Sequence, residues 1–89
     1  MVSYSEENAL TPGTLLDGAR MYAASADTVV EKYPNALHVQ SHMLGMSIEL
    51  ALKSFLRFKG YSAKDLRKLS HKLPDIYDAC IEKGLTHTG

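Results

Sequence analysis

The sequence predicts an all-α protein of three main helices and one short helical turn. Three observations carry that reading. Apolar residues recur at spacings of three and four through three stretches of the chain. Proline or glycine stands between the stretches. Serine or threonine, paired with proline or a carboxylate, marks several helix starts.

The first helix starts at Thr11-Pro12 or at Thr14-x-x-Asp17, because proline suits a first helical position and the second pattern offers a capping-type box. Leu15, Ala19, Tyr22, Ala26, Val29 and Tyr33 form its apolar stripe, widened by Leu16, Ala23 and Val30 as a bundle helix requires. Pro34 ends it, since proline disfavours helical geometry at the residue before it. The second helix is expected over residues 35–59, with Leu37, Leu44, Ile48, Ala51 and Phe55 on one face and Met43, Met46 and Leu50 on the flank. Apolar residues on both face and flank imply more than one neighbour, so this is the central helix. Gly60 stops it, with Arg57 and Lys59 at the negative end of its dipole. Ser62-x-x-Asp65 caps a short turn bearing Leu66 and Leu69. The last helix opens between His71 and Pro74, carries Leu73, Ile76, Tyr77, Cys80 and Ile81, and stops at Lys83-Gly84-Leu85. Residues 1–10 read as a flexible arm, 11–85 as the helical domain and 86–89 as a tail.

A chain of 89 residues makes one domain, and at this length only about 60–65% of the unfolded surface is buried. That core is marginal, and the second helix has apolar residues on more sides than so few helices can cover, so a homo-oligomer is expected. No stretch is apolar and long enough to span a bilayer, and the N-terminus lacks a signal-peptide pattern. Cys80 is the only cysteine, so a cytoplasmic protein without an internal disulfide is expected. Net charge is zero, which argues against a protein coated for nucleic acid along its whole surface. The charge is uneven, however: Lys53, Arg57, Lys59, Lys64, Arg67, Lys68 and Lys72 face only Asp65 within residues 53–72.

Four polar constellations are candidates for chemistry. Arg57, Lys64, Arg67, Lys68 and Lys72 form a possible surface for nucleic acid or another anion, against the plainer reading of a solvated face. Glu49 and Lys53, one helical turn apart among apolar neighbours, are expected to be a structural ion pair. His38 and His42 have the spacing of two ligands on one helix, with His71 as the plausible third donor, but the expected reading is a polar face holding no metal. His71, next to Arg67, Lys68 and Lys72, is expected to cap or pack, with acid–base chemistry toward phosphate as the sharper possibility. No cofactor motif is present, and Cys80 reads as a buried small hydrophobe.

Two strings, IELALKSFLRFKGYS and SHKLPDIYDACIEKGL, together with their order, resemble HEPN domains over residues 15–85. The resemblance implies an antiparallel helical bundle, frequently dimeric, of a kind found in prokaryotic toxins, RNases and non-catalytic partners of nucleotidyltransferases. It makes RNA, a nucleotide or a nucleotidyltransferase-like protein the expected partner in stress, defence or toxin–antitoxin biology. The family's RNase signature is an Arg, four to six residues, and then a His. Here Arg67 is followed by three residues and His71, ahead of the last helix, and the family's usual final helix is missing, as in a minimal or truncated member. The expectation is therefore a non-catalytic module. The alternatives are a divergent metal-independent RNase using Arg67 and His71 from two chains, and a purely structural interaction domain.

Overall fold

Local chemistry written into the sequence starts and stops most of the helices. The computed structural model of the chain describes residues 10–85, which form four α-helices: α1 (Pro12–Lys32), α2 (Leu37–Phe58), α3 (Ala63–Leu69) and α4 (Leu73–Glu82). Residues 1–9 of the expected arm and the tail at 86–89 lie outside the described residues. Among the described residues no helix is long and apolar enough to cross a membrane.

Of the two possible starts for α1, Thr11 is the one used. Its hydroxyl accepts the Thr14 N–H at 3.1 Å, while the Thr14 hydroxyl accepts the Thr11 N–H at 3.0 Å. After α1, the Ala36 N–H donates to the Tyr33 carbonyl at 2.9 Å. Pro34 and Asn35 thereby become the middle of a turn, and α2 begins two residues later than its periodicity suggests. At the far end of α2, Gly60 adopts φ +105° and the Tyr61 N–H returns to the Leu56 carbonyl at 3.0 Å. The same arrangement closes α4, with Gly84 at φ +104° and the Leu85 N–H on the Cys80 carbonyl at 2.9 Å. Both are Schellman ends, in which a left-handed glycine lets the chain satisfy carbonyls that the helix itself leaves open.

Ser62 and Asp65 cap α3 reciprocally. The Ser62 backbone N–H, followed by its side chain, holds the Asp65 carboxyl below its ordinary value of 3.8. A lowered carboxyl pKa favours the folded state above that ordinary value. The contribution disappears as pH falls through the folded pKa, so this cap belongs to neutral solution and is lost in acid.

Packing follows from small and hydroxylic residues facing one another across α1 and α2. Ser47 donates to the Ala19 carbonyl and Ser54 to the Pro12 carbonyl, each at 2.7 Å. Gly18 admits Leu50, whose Cδ1 would stand 3.1 Å from a Cβ placed there. On the other flank of α2, Leu56 joins Leu15, Leu66, Ile76, Ala79 and Cys80 in the buried core. The Cys80 thiol donates to the Leu52 carbonyl at 3.5 Å.

The face of α2 expected to be core is mostly outside. Leu37 is 61%, Leu44 41% and Ile48 54% exposed; Ala51 is exposed as well, and only Phe55 reaches the core edge. The interior is supplied by Glu49, Ser54 and Leu56, with the flanking Met43, Met46 and Leu50 half-buried. The reason is a shortage of covering helices among the described residues. The Cα trace is 19 Å deep along its shortest axis, room for two helix layers at spacings of about 8–10 Å but not three. On α1, Leu16, Tyr22 and Tyr33 of the expected stripe also face outward, leaving Leu15, Ala19 and Ala26 inside.

This assignment of faces has a direct consequence for stability. Leu56→Ala should cost about 2–5 kcal/mol, whereas Leu44→Ala in dilute solution should cost well under about 1 kcal/mol. Urea unfolding of the two variants checks the difference, and equal losses would place Leu44 in the core.

Candidate functional site

Glu49 is the only charged side chain in the buried interior of the described residues, and what surrounds it defines the site. It sits on the inward face of α2 with 5% of its side chain exposed. Its Oε2 accepts Lys53 Nζ, one turn later, at 3.1 Å. The same oxygen lies 2.7 Å from Nδ1 of His71. A carboxylate only accepts, so Nδ1 carries the hydrogen and donates, which directs Nε2 away from Glu49. The His71 side chain is 72% exposed.

Lys53 does more than balance Glu49. Its Nζ also donates to the Ser70 carbonyl at 2.7 Å. Ser70 holds φ +52°, the one left-handed non-glycine residue among those described. Such a conformation costs on the order of 1 kcal/mol or more and persists where its surroundings fix it. The lysine fixes it here, at the reversal between α3 and α4, and the reversal in turn places His71 beside Glu49. One ammonium, one carboxylate and one imidazole therefore clamp the middle of α2 to the α3–α4 junction.

The clamp forms one side of a cleft of about 560 Å³ lined by His42, Gly45, Met46, Glu49, His71 and Leu73. A smaller depression of about 220 Å³ shares Met46, Glu49 and His71 with it and extends to Lys53 and Arg67. Arg67 and His71 thus border the same depression, although the sequence spacing between them is not the family signature.

The other sequence candidates are dispersed. Arg57 is half-buried and spends its guanidinium on the Leu10 carbonyl at 2.8 Å and the Tyr61 carbonyl at 2.9 Å. It straps the segment before α1 to the end of α2, and so stands apart from the exposed Lys64, Arg67, Lys68 and Lys72. His38 and His42 are both exposed, and among the described residues no group of three or more histidine, cysteine or acidic side chains is placed to hold a metal. Cys80 is fully buried, and burial pushes its thiol above the ordinary 9.0, as expected of a packing residue. Sequence reasoning paired Glu49 with Lys53 but missed the bond from Glu49 to His71. The available signal was a Glu–Lys pair inside an apolar helix with a histidine just past the following turn. Comparisons with protein-family models, curated proteins and solved structures find no match for this chain.

A buried pair with one partner removed leaves an uncompensated charge. Lys53→Met should therefore destabilise the fold by about 3 kcal/mol, and Glu49→Gln combined with Lys53→Met by less than the sum of the two single changes. A double-mutant cycle read by urea unfolding checks this; additivity to within about 0.5 kcal/mol would mean the pair is not coupled.

Proposed function

We propose that this chain is a HEPN-like, non-catalytic interaction module that works as a homodimer built on α2. The observation that carries the reading is the reversed polarity of that helix. Its three charged residues, Glu49, Lys53 and Arg57, all lie on the covered side, whereas Leu37, Leu44, Ile48, Ala51 and Phe58 form an uncharged stripe on the open side. At about 100° per residue these stripe positions fall within one narrow sector. A helix that faced only water would carry the opposite pattern.

A second copy fits the stripe better than an unrelated partner does. The stripe has no charge with which to select a heterologous surface, and it is centred between Ser47 and Ile48. A two-fold axis there sets Leu37 against Phe58 and Leu44 against Ala51 of the other copy, as a self-complementary interface requires. The bonds from Ser54 to Pro12 and from Ser47 to Ala19 support the antiparallel course of α1 and α2 that the HEPN reading implies. The exposed Lys64, Arg67, Lys68 and Lys72 put positive charge on one stretch of surface, which favours an anionic partner, RNA or an acidic protein surface. The RNase alternative keeps one supporting observation, the imidazole of His71 oriented by Glu49.

Light scattering at micromolar concentration tests the self-association. The wild-type chain should have twice its monomer mass, and Leu44→Glu with Ile48→Glu should be a monomer of unchanged helical circular dichroism. A well-folded wild-type monomer at tens of micromolar would remove the proposal.

A further inference from the structure

Glu49 has an unused oxygen. The side chain is almost wholly buried, with 5% exposed, and both of its bonds, from Lys53 and from His71, fall on Oε2. Oε1 accepts nothing from the described residues. No fully enclosed side-chain oxygen or nitrogen among those residues lacks a partner, so Oε1 reaches open space. Glu49 borders the cleft beside the clamp and the smaller depression that shares Met46, Glu49 and His71 with it. A buried carboxylate oxygen without a donor is uncommon, and a ligand that supplies one accounts for it. The α2 side of this cleft lies roughly 150° around the helix from the apolar stripe, so a second copy is not needed to form it.

Neighbouring groups decide what kind of donor fits. An anion would meet the negative carboxylate and Nε2 of His71, which is only an acceptor in a neutral ring whose Nδ1 donates to Glu49. A cation would meet Lys53, whose ammonium stands 3.1 Å from Oε2 and already offsets the charge. A neutral donor meets neither objection, and an O–H bond to a carboxylate is short and charge-assisted.

The walls decide the body that carries the donor. Glycine inside a helix is destabilising, and the usual reason for it is a neighbour that needs the room. A Cβ at Gly45 would meet nothing within 4 Å, so no neighbouring protein atom takes that room. Gly45 lines the cleft and leaves the helix backbone bare there. A flat ring can lie against it, with Leu73 and the Met46 sulfur, a favourable neighbour for aromatic rings, around it. The volume of about 560 Å³ suits a small molecule.

We propose that this cleft binds a small neutral phenol, its ring against Gly45, Met46 and Leu73 and its hydroxyl donated to Oε1 of Glu49. The proposal goes beyond the dimer reading and does not depend on it.

p-Cresol is the probe, titrated into the full chain at about pH 8, where an ordinary imidazole is neutral and a phenol keeps its proton. Backbone amide and side-chain carboxyl resonances are followed by NMR. Saturable shifts are expected at the amides of Gly45, Met46, His71 and Leu73 and at the Glu49 carboxyl carbon. p-Methylanisole keeps the ring without the hydroxyl hydrogen, and p-methylbenzoate puts a negative charge in its place. Each should bind at least about threefold more weakly. Gly45→Ala and Gly45→Leu fill the cleft in steps with residues that favour helix. Their melting temperatures should be equal or higher while p-cresol affinity falls, by about tenfold or more in Gly45→Leu. Absence of saturable shifts at millimolar p-cresol would overturn the proposal. So would either analogue binding as tightly as p-cresol, a Glu49 carboxyl resonance that stays fixed at saturation, or undiminished affinity in the Gly45 variants that fold. Light scattering of the same samples separates this outcome from failure of the dimer reading, since a monomer that binds p-cresol supports the cleft alone.

Discussion

Everything in this fold answers to one constraint: α2 is long and carries apolar residues on more than one side, and the other helices of the described residues are too few to surround it. α1 covers one flank along its length, through Ser47, Leu50 and Ser54. α3 and α4 cover the other through Leu56, Leu66, Ile76 and Cys80. The third sector, from Leu37 to Phe58, is left open. The chain covers the two flanks where α2 carries its charged residues, so it must satisfy them internally, with Lys53 neutralising Glu49 and the Arg57 guanidinium donating to two backbone carbonyls.

That internal neutralisation is what builds the cleft. A buried carboxylate is tolerated only with partners of good geometry, and Glu49 has two, at 3.1 and 2.7 Å. One of them, Lys53, also holds the left-handed Ser70 at the α3–α4 reversal. The histidine and the strained turn are thus consequences of putting a charge on the covered side of α2, and the cleft is the space left between them and Gly45. Stability and the candidate site share the same side chains, so a change at Glu49 or Lys53 disturbs both.

The sequence is most legible where the physics is local. Thr11, Pro34, Gly60, Ser62 with Asp65, and Lys83-Gly84-Leu85 each act within a few residues, and each sits at the helix boundary where the sequence places it. The ion pair of Glu49 and Lys53 is legible for the same reason, being one turn of a single helix. The inward face of α2 was not legible. Periodicity identifies Leu37, Leu44, Ile48, Ala51 and Phe55 as one face, but which face is covered depends on how many helices the rest of the chain can supply. The bond from His71 to Glu49 spans 22 residues and needs the whole reversal through α3 to exist. Gly45 gave no signal at all, because a glycine within a helical stretch acquires meaning only once the space beside it is seen.

The central claim is that the open sector of α2 is an interface between two copies. The most direct measurement follows side-chain methyl resonances by NMR across a dilution series of the wild-type chain. The account expects the methyls of Leu37, Leu44 and Ile48 to shift together along one binding curve, while those of Leu56, Leu66 and Ile76 in the core stay fixed. Stripe methyls that hold still from high to low concentration would contradict it, as would shifts confined to Val39, which is exposed on another side of the same helix.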